Sequence, residues 1–103
     1  MKSRNVLSPE AAKDLASIWQ YIHTRSSLEM ADRVESVVRE RFAFLAHNPE
    51  AGHQRRDLTE FDVRFFPVYS YLIVYRPKTN PLQVIAILHG RRDVHTILSN
   101  RPS

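Results

Sequence analysis

The chain has no cysteine, only two glycines and one tryptophan in 103 residues, and no Phe, Tyr or Trp after Tyr75. Without cysteine there is neither a disulfide framework nor a thiolate metal site, and a reducing, cytoplasmic setting fits. No apolar run approaches the roughly 18–20 residues needed to cross a bilayer, and no signal-peptide pattern opens the chain. The five histidines form no i, i+4 pair on a helix and no triad with carboxylates, so neither a metal site nor a cofactor is expected. Internal repeats, low-complexity tracts and linkers are also missing. The length suits one domain over residues 1–103 with a single modest core.

What is present is charge, unevenly placed. Residues 1–52 carry seven Lys/Arg and seven Asp/Glu, so the net +4 of the whole chain arises after residue 52. There, eight Lys/Arg face only Asp57, Glu60, Asp62 and Asp93. Such asymmetry points to an anionic partner. A net +4 without a Lys-rich tail is modest for an autonomous nucleic-acid binder, so an acidic protein segment is the expected partner and direct nucleic-acid binding is not.

The first half has helical period. A short strand, Arg4 to Leu7, precedes Ser8-Pro9-Glu10, which reads as an N-cap, a first-turn proline and an acid at the positive end of the helix dipole. Ala11, Leu15, Ile18, Trp19 and Ile22 recur at helical spacing, with Lys13, Asp14, Ser17 and Gln20 on the other side. A second start is expected at Ser26, with Glu29 completing a capping box. Ala31, Val34, Val38, Phe42 and Leu45 then make an apolar stripe that ends at Asn48-Pro49. The very short link predicts an antiparallel helical hairpin.

The second half has the period of strands. After a loop over 48–58, Phe61, Val63 and Phe65 alternate with Asp62 and Arg64. Tyr69 to Arg76 is the next strand, with Tyr69, Tyr71, Ile73 and Tyr75 on one face. Pro77 to Pro81 turns the chain into a third strand, Leu82 to His89, apolar on both faces and therefore central. An α+β fold follows: a short N-terminal strand and a helical hairpin packed on a three-stranded antiparallel meander, with Asp93 to Leu98 as a candidate terminal helix.

The third strand ends in His89-Gly90-Arg91-Arg92-Asp93, where rigid backbone meets a cluster of cations. This cluster either holds an anion or meets an acidic partner. Arg91 and Arg92 read as solvated residues or as forks for a partner carboxylate, with Asp93 an alternative internal partner. Arg64 reads as a sheet-surface arginine or as part of the same basic face. Arg55 and Arg56 read as an exposed loop that could join it. Trp19 and Phe42 read as hairpin core, either of which could instead face a partner groove.

Several ordered features support a family resemblance: Asn48-Pro49 with Gly52, Arg56-Asp57-Leu58, Val63 to Val68, Tyr71 to Arg76, and His89 to Asp93. Following a helical hairpin within about a hundred residues, they make the chain resemble the ParE/RelE superfamily of type II toxin–antitoxin toxins. The resemblance implies a strand–helix–helix–three-strand fold. It also implies a cognate ParD-like antitoxin, whose acidic or amphipathic C-terminal segment wraps the toxin. The RelE-like branch resembles ribosome-dependent mRNA endonucleases, and the ParE-like branch resembles poisons of DNA gyrase.

Cleavage by 2′-OH attack needs a base, an acid and cations on the phosphate. His89, Arg64 and Arg91 could supply them in a nuclease. RelE-like enzymes typically add a Tyr or His near the C-terminus, where only His95 stands here, and the loop before the strands has no lysine. The expectation is therefore a ParE-like gyrase poison without catalytic residues of its own. An endoribonuclease is the alternative, and an inactive homologue that only binds antitoxin is the second. The expected partner-binding residues are Arg64, His89, Arg91, Arg92, Arg55, Arg56 and Trp19.

Overall fold

The computed structural model describes residues 4–101. Strand β1 (Asn5–Leu7) leads into helix α1 (Pro9–Arg25) and helix α2 (Leu28–His47). Strands β2 (Arg64–Val68), β3 (Tyr71–Arg76) and β4 (Leu82–His89) follow, and a short helix α3 (Val94–Ser99) closes the chain.

Helix α1 starts as its sequence dictates. The Ser8 hydroxyl accepts from the Ala11 N–H, and Pro9 takes the first turn, where its missing N–H costs nothing. Helix α2 begins one residue later than expected. Its N-cap is Ser27, which accepts from the Met30 N–H; Glu29 therefore sits in the first turn and does not close a capping box. The five predicted stripe residues of α2, Ala31 to Leu45, are all buried.

The sheet order is β1-β4-β3-β2, with β2, β3 and β4 as the expected antiparallel meander and β4 in the interior. The N-terminal strand joins the same sheet, parallel to β4, with Leu7 opposite Val84. The parallel partner needs a crossover, and the helical hairpin supplies it. On β4 the register slips between Val74 and Tyr75, which face Ala86 and Val84; Ile85 is the extra, bulged residue.

Both faces of the sheet are covered. Val68, Ile73, Tyr75, Val84 and Ile87 pack beneath the hairpin with Leu15, Val38, Phe42 and Leu45. On the far face Phe65, Val74, Ala86 and Leu88 pack with Val63, with Val94 and Leu98 of α3, and with Leu58 at the rim. This second layer explains why β4 is apolar on both sides.

Three strand and core expectations are corrected. Strand β2 begins at Arg64, since Phe61 and Val63 lie in the preceding loop, Phe61 exposed and Val63 buried. Tyr69 is outside β3, in the tight β2–β3 turn, at φ 54° and 60% exposed. A two-residue hairpin turn needs left-handed backbone, a conformation costly for a residue with a Cβ. Trp19 is not core: it lies half-buried on the hairpin, its indole N–H donating to Asp32 at 2.8 Å and its ring 4.9 Å from that of His23.

Candidate functional site

At one end of the sheet, the C-terminus of β4, the β2–β3 turn and helix α1 enclose a groove of about 620 Å³. Ile18 and Tyr21 come from α1, Tyr71 from β3, and Ile87 and His89 from β4, with Arg92 at the mouth. The register places Tyr71 opposite His89, and the two rings meet edge to face at 5.7 Å between centroids. Burial and the neighbouring Tyr21 push the Tyr71 phenol above its ordinary pKa. Tyr21 is 55% exposed, so the groove has an aromatic lip open to solvent.

The cation cluster is ordered by its own backbone. His89 Nδ1 accepts from the Arg91 N–H at 3.2 Å, and the His89 carbonyl accepts from the Arg92 N–H at 3.0 Å. Asp93 pairs with neither arginine. It caps α3, its two oxygens accepting from the Thr96 N–H and hydroxyl, and those bonds hold its carboxyl below the usual range. Among the described residues Arg91 and Arg92 make no ion pair, and both are exposed.

Arg64 is elsewhere. It faces Tyr75 across β2–β3, four residues along β3 from the Tyr71–His89 rung. That is roughly 13 Å along the strands, plus roughly 10 Å across them, from the spacings of any sheet. Its guanidinium donates to the carbonyls of Gly52 at 2.8 Å and Glu50 at 3.4 Å, while its buried Nε has no partner. The arginine braces the 48–63 loop. A second depression of about 650 Å³ lies beside it, lined also by Phe44, His47, Asp62 and Lys78. The set His89, Arg64 and Arg91 is therefore split between two ends of the sheet.

The other predicted residues are scattered too. Arg55 makes a two-pronged pair with Asp57 at 2.8 and 3.0 Å, both exposed, which raises the pKa of one and lowers that of the other. Arg56 donates to the Glu60 carbonyl at 3.3 Å, near His95 of α3. Trp19 is on α1, two residues before Tyr21, and is not among the groove residues. Only His89 and Arg92 of the predicted set line the groove, with Arg91 adjoining them.

Sequence reasoning missed Asp14, which had been set on the polar side of α1. It is largely buried: its side chain accepts from the Ile87 N–H at 3.0 Å and takes both guanidinium nitrogens of Arg101 at 2.8 and 2.9 Å. Arg101 also donates to the Ile85 carbonyl at 3.1 Å, as Ser8 Oγ does at 3.3 Å. Side chains thus cap the stretch of β4 that β1 is too short to reach. No sequence pattern links residues 87 positions apart. The one available signal was Asp14 lying one position from the core residue Leu15.

The family model described as "ParE toxin of type II toxin-antitoxin system, parDE" matches residues 6–94. Among solved structures, a chain titled "Chromosomal ParDE TA system from P. aeruginosa" superposes with a TM-score of 0.70 at 22% identity, covering 86% of this chain and 96% of that one. At that identity the likeness speaks for the fold alone. No curated protein matches.

Proposed function

The chain belongs to the ParE toxin family of type II toxin–antitoxin systems, and from that premise we propose that it is a toxin that inhibits DNA gyrase by protein–protein binding and is neutralised by a cognate, ParD-like antitoxin. The observation that carries the choice of binding over catalysis is the separation of Arg64 from His89 and Arg91. A nuclease would need those groups around one phosphate, whereas Arg64 is spent on two loop carbonyls. The family match and the exposed Arg91 and Arg92, without an ion pair among the described residues, support an antitoxin with acidic character.

The test is a gyrase supercoiling and cleavage assay with purified protein. Loss of supercoiling and accumulation of cleaved DNA, both reversed by adding antitoxin, are the expected results. No effect at micromolar concentration rejects the gyrase reading. New 5′ ends in transcripts after brief expression would turn the assignment to an endoribonuclease. Harmless expression without antitoxin would turn it to an inactive homologue.

A further inference from the structure

The sheet has two outer strands, β2 and β1, and their free sides differ. On β2 the bridge between His53 and Phe65 uses both backbone groups of Phe65, at 2.8 and 2.9 Å. The next outward position is Pro67, which has no N–H to offer. That side is closed.

The inner side of β1 is fixed by its parallel ladder to β4. The Arg4 carbonyl accepts from the Leu82 N–H at 2.8 Å, and the Ser8 N–H donates to the Val84 carbonyl at 2.9 Å. Backbone groups alternate in direction along a strand, so Val6 also faces β4, while Asn5 and Leu7 face away from it. Among the described residues, the N–H and C=O of Asn5 and of Leu7 have no hydrogen-bond partner. These donors and acceptors stand in one row, symmetric about Val6. The Val6 side chain, at the centre of the row, is 46% exposed. Leu7 packs beneath the hairpin, which fixes which residues face outward.

We propose that β1 is a self-pairing edge, where two copies of this chain join antiparallel about Val6 and merge their four-stranded sheets into one. Asn5 of each copy stands opposite Leu7 of the other and exchanges both N–H···O bonds with it. The two Val6 side chains meet at the centre in the closer, non-hydrogen-bonded kind of pair. A second copy is the occupant because the row is its own complement, as a twofold interface requires. Charge sets the direction. Exposed Arg4 precedes the strand and Glu10 follows it in the first turn of α1. Antiparallel pairing turns each Arg4 towards the acidic end of the other copy and holds the two arginines roughly 13 Å apart along the strands. Glu10 also acts on Arg101, so this charge contrast orients the pair while the backbone holds it. Two rungs are a small contact, which puts the association in the weak, transient class. The inference goes beyond the toxin reading and does not depend on it.

The experiment is sedimentation equilibrium of the full chain from micromolar to millimolar concentration, with amide hydrogen exchange at both ends of that range. The expected result is a reversible monomer–dimer equilibrium, with the Asn5 and Leu7 amides slowed at least about tenfold as the dimer fills. The Val6 amide, already bonded to β4, should change little. Asn5→Pro removes an outward donor and no inward bond, and should raise the dissociation constant at least about tenfold. Val6→Asp sets two carboxylates against each other at the axis and should abolish the dimer. Tyr69→Asn, in the β2–β3 turn away from β1, should leave it unchanged. A chain that stays monomeric at millimolar concentration overturns the proposal. So does a dimer in which the Asn5 and Leu7 amides exchange freely, or one that Tyr69→Asn weakens and Asn5→Pro leaves intact. Slowing of those two amides only when antitoxin is added would give the edge to that partner and overturn the proposal as well.

Discussion

The Tyr75 hydroxyl stands between two backbone groups of the loop, accepting from the Gly52 N–H at 2.9 Å and donating to the Pro49 carbonyl at 2.7 Å. Burial raises the phenol pKa above its ordinary value; the Gly52 N–H and the Arg64 guanidinium pull it back in part. The ring is fully buried, so the loop is pinned to the sheet from inside. Tyr75→Phe leaves both backbone groups unsatisfied and should cost about 1–3 kcal/mol in urea unfolding. Gly52→Ala should be at least as harmful, because a Cβ there would lie 2.6 Å from the hydroxyl and 3.0 Å from the Phe65 carbonyl. Combining the two should recover only part of the loss, since Tyr75 Cε1 is still 2.9 Å away.

Asp14 and Arg101 should behave as a coupled pair. Their side chains are only 14% and 17% exposed, so truncating either leaves a poorly solvated charge. Arg101→Ala and Asp14→Ala are each expected to cost about 2–3 kcal/mol, and the double variant clearly less than their sum. Additive losses in a thermal or urea double-mutant cycle would show that the two act separately.

Asp93 should make stability sensitive to acid in one direction. Its carboxyl pKa is lowered from 3.8 by the Thr96 hydroxyl and amide. A lowered folded-state value means the contribution is complete above the unfolded value and disappears as pH falls through the folded one. Asp93→Asn keeps a side-chain cap and removes this titration. The variant's Tm should therefore fall less steeply than the parent's below about pH 4, while the two run parallel at neutral pH.

Arg64→Ala should destabilise the 48–63 loop without exposing any chemistry. Two charge-assisted bonds to carbonyls are lost, about 1–3 kcal/mol by urea unfolding. RNA incubated with the parent or the variant, with or without ribosomes, should remain uncut. Parent-dependent cleavage abolished in a stably folded Arg64→Ala protein would assign the residue a catalytic part.

Local patterns were legible where the cause was local. Ser8-Pro9 fixed the start of α1, the five-residue stripe fixed the buried face of α2, and the doubly apolar β4 announced its interior position. Boundaries failed where two neighbours compete for one role, as Ser26 and Ser27 do for the α2 cap. Alternation alone extends β3 to Tyr69, but the geometry of the turn claims that residue. The site was legible in part. The His89-Arg92 segment carried its own signal. Helical period puts Asp14 opposite the apolar stripe and says nothing of its burial, because the contact that buries it comes from Arg101 and from a strand too short to cover its neighbour. The position of Arg64 depends on strand register, which composition does not encode.

Pro67 also governs how far this sheet can grow. A sheet that accepts chains at both edges can pass its hydrogen bonding from one copy to the next without limit. Here the outward position of β2 has no donor and its neighbour is already bridged by His53. Backbone pairing on the β2 side is therefore closed, and only the side where β1 is the outer strand is left to it. Edge-to-edge growth from copy to copy would need the β2 side, and there Pro67 and the His53 bridge block it.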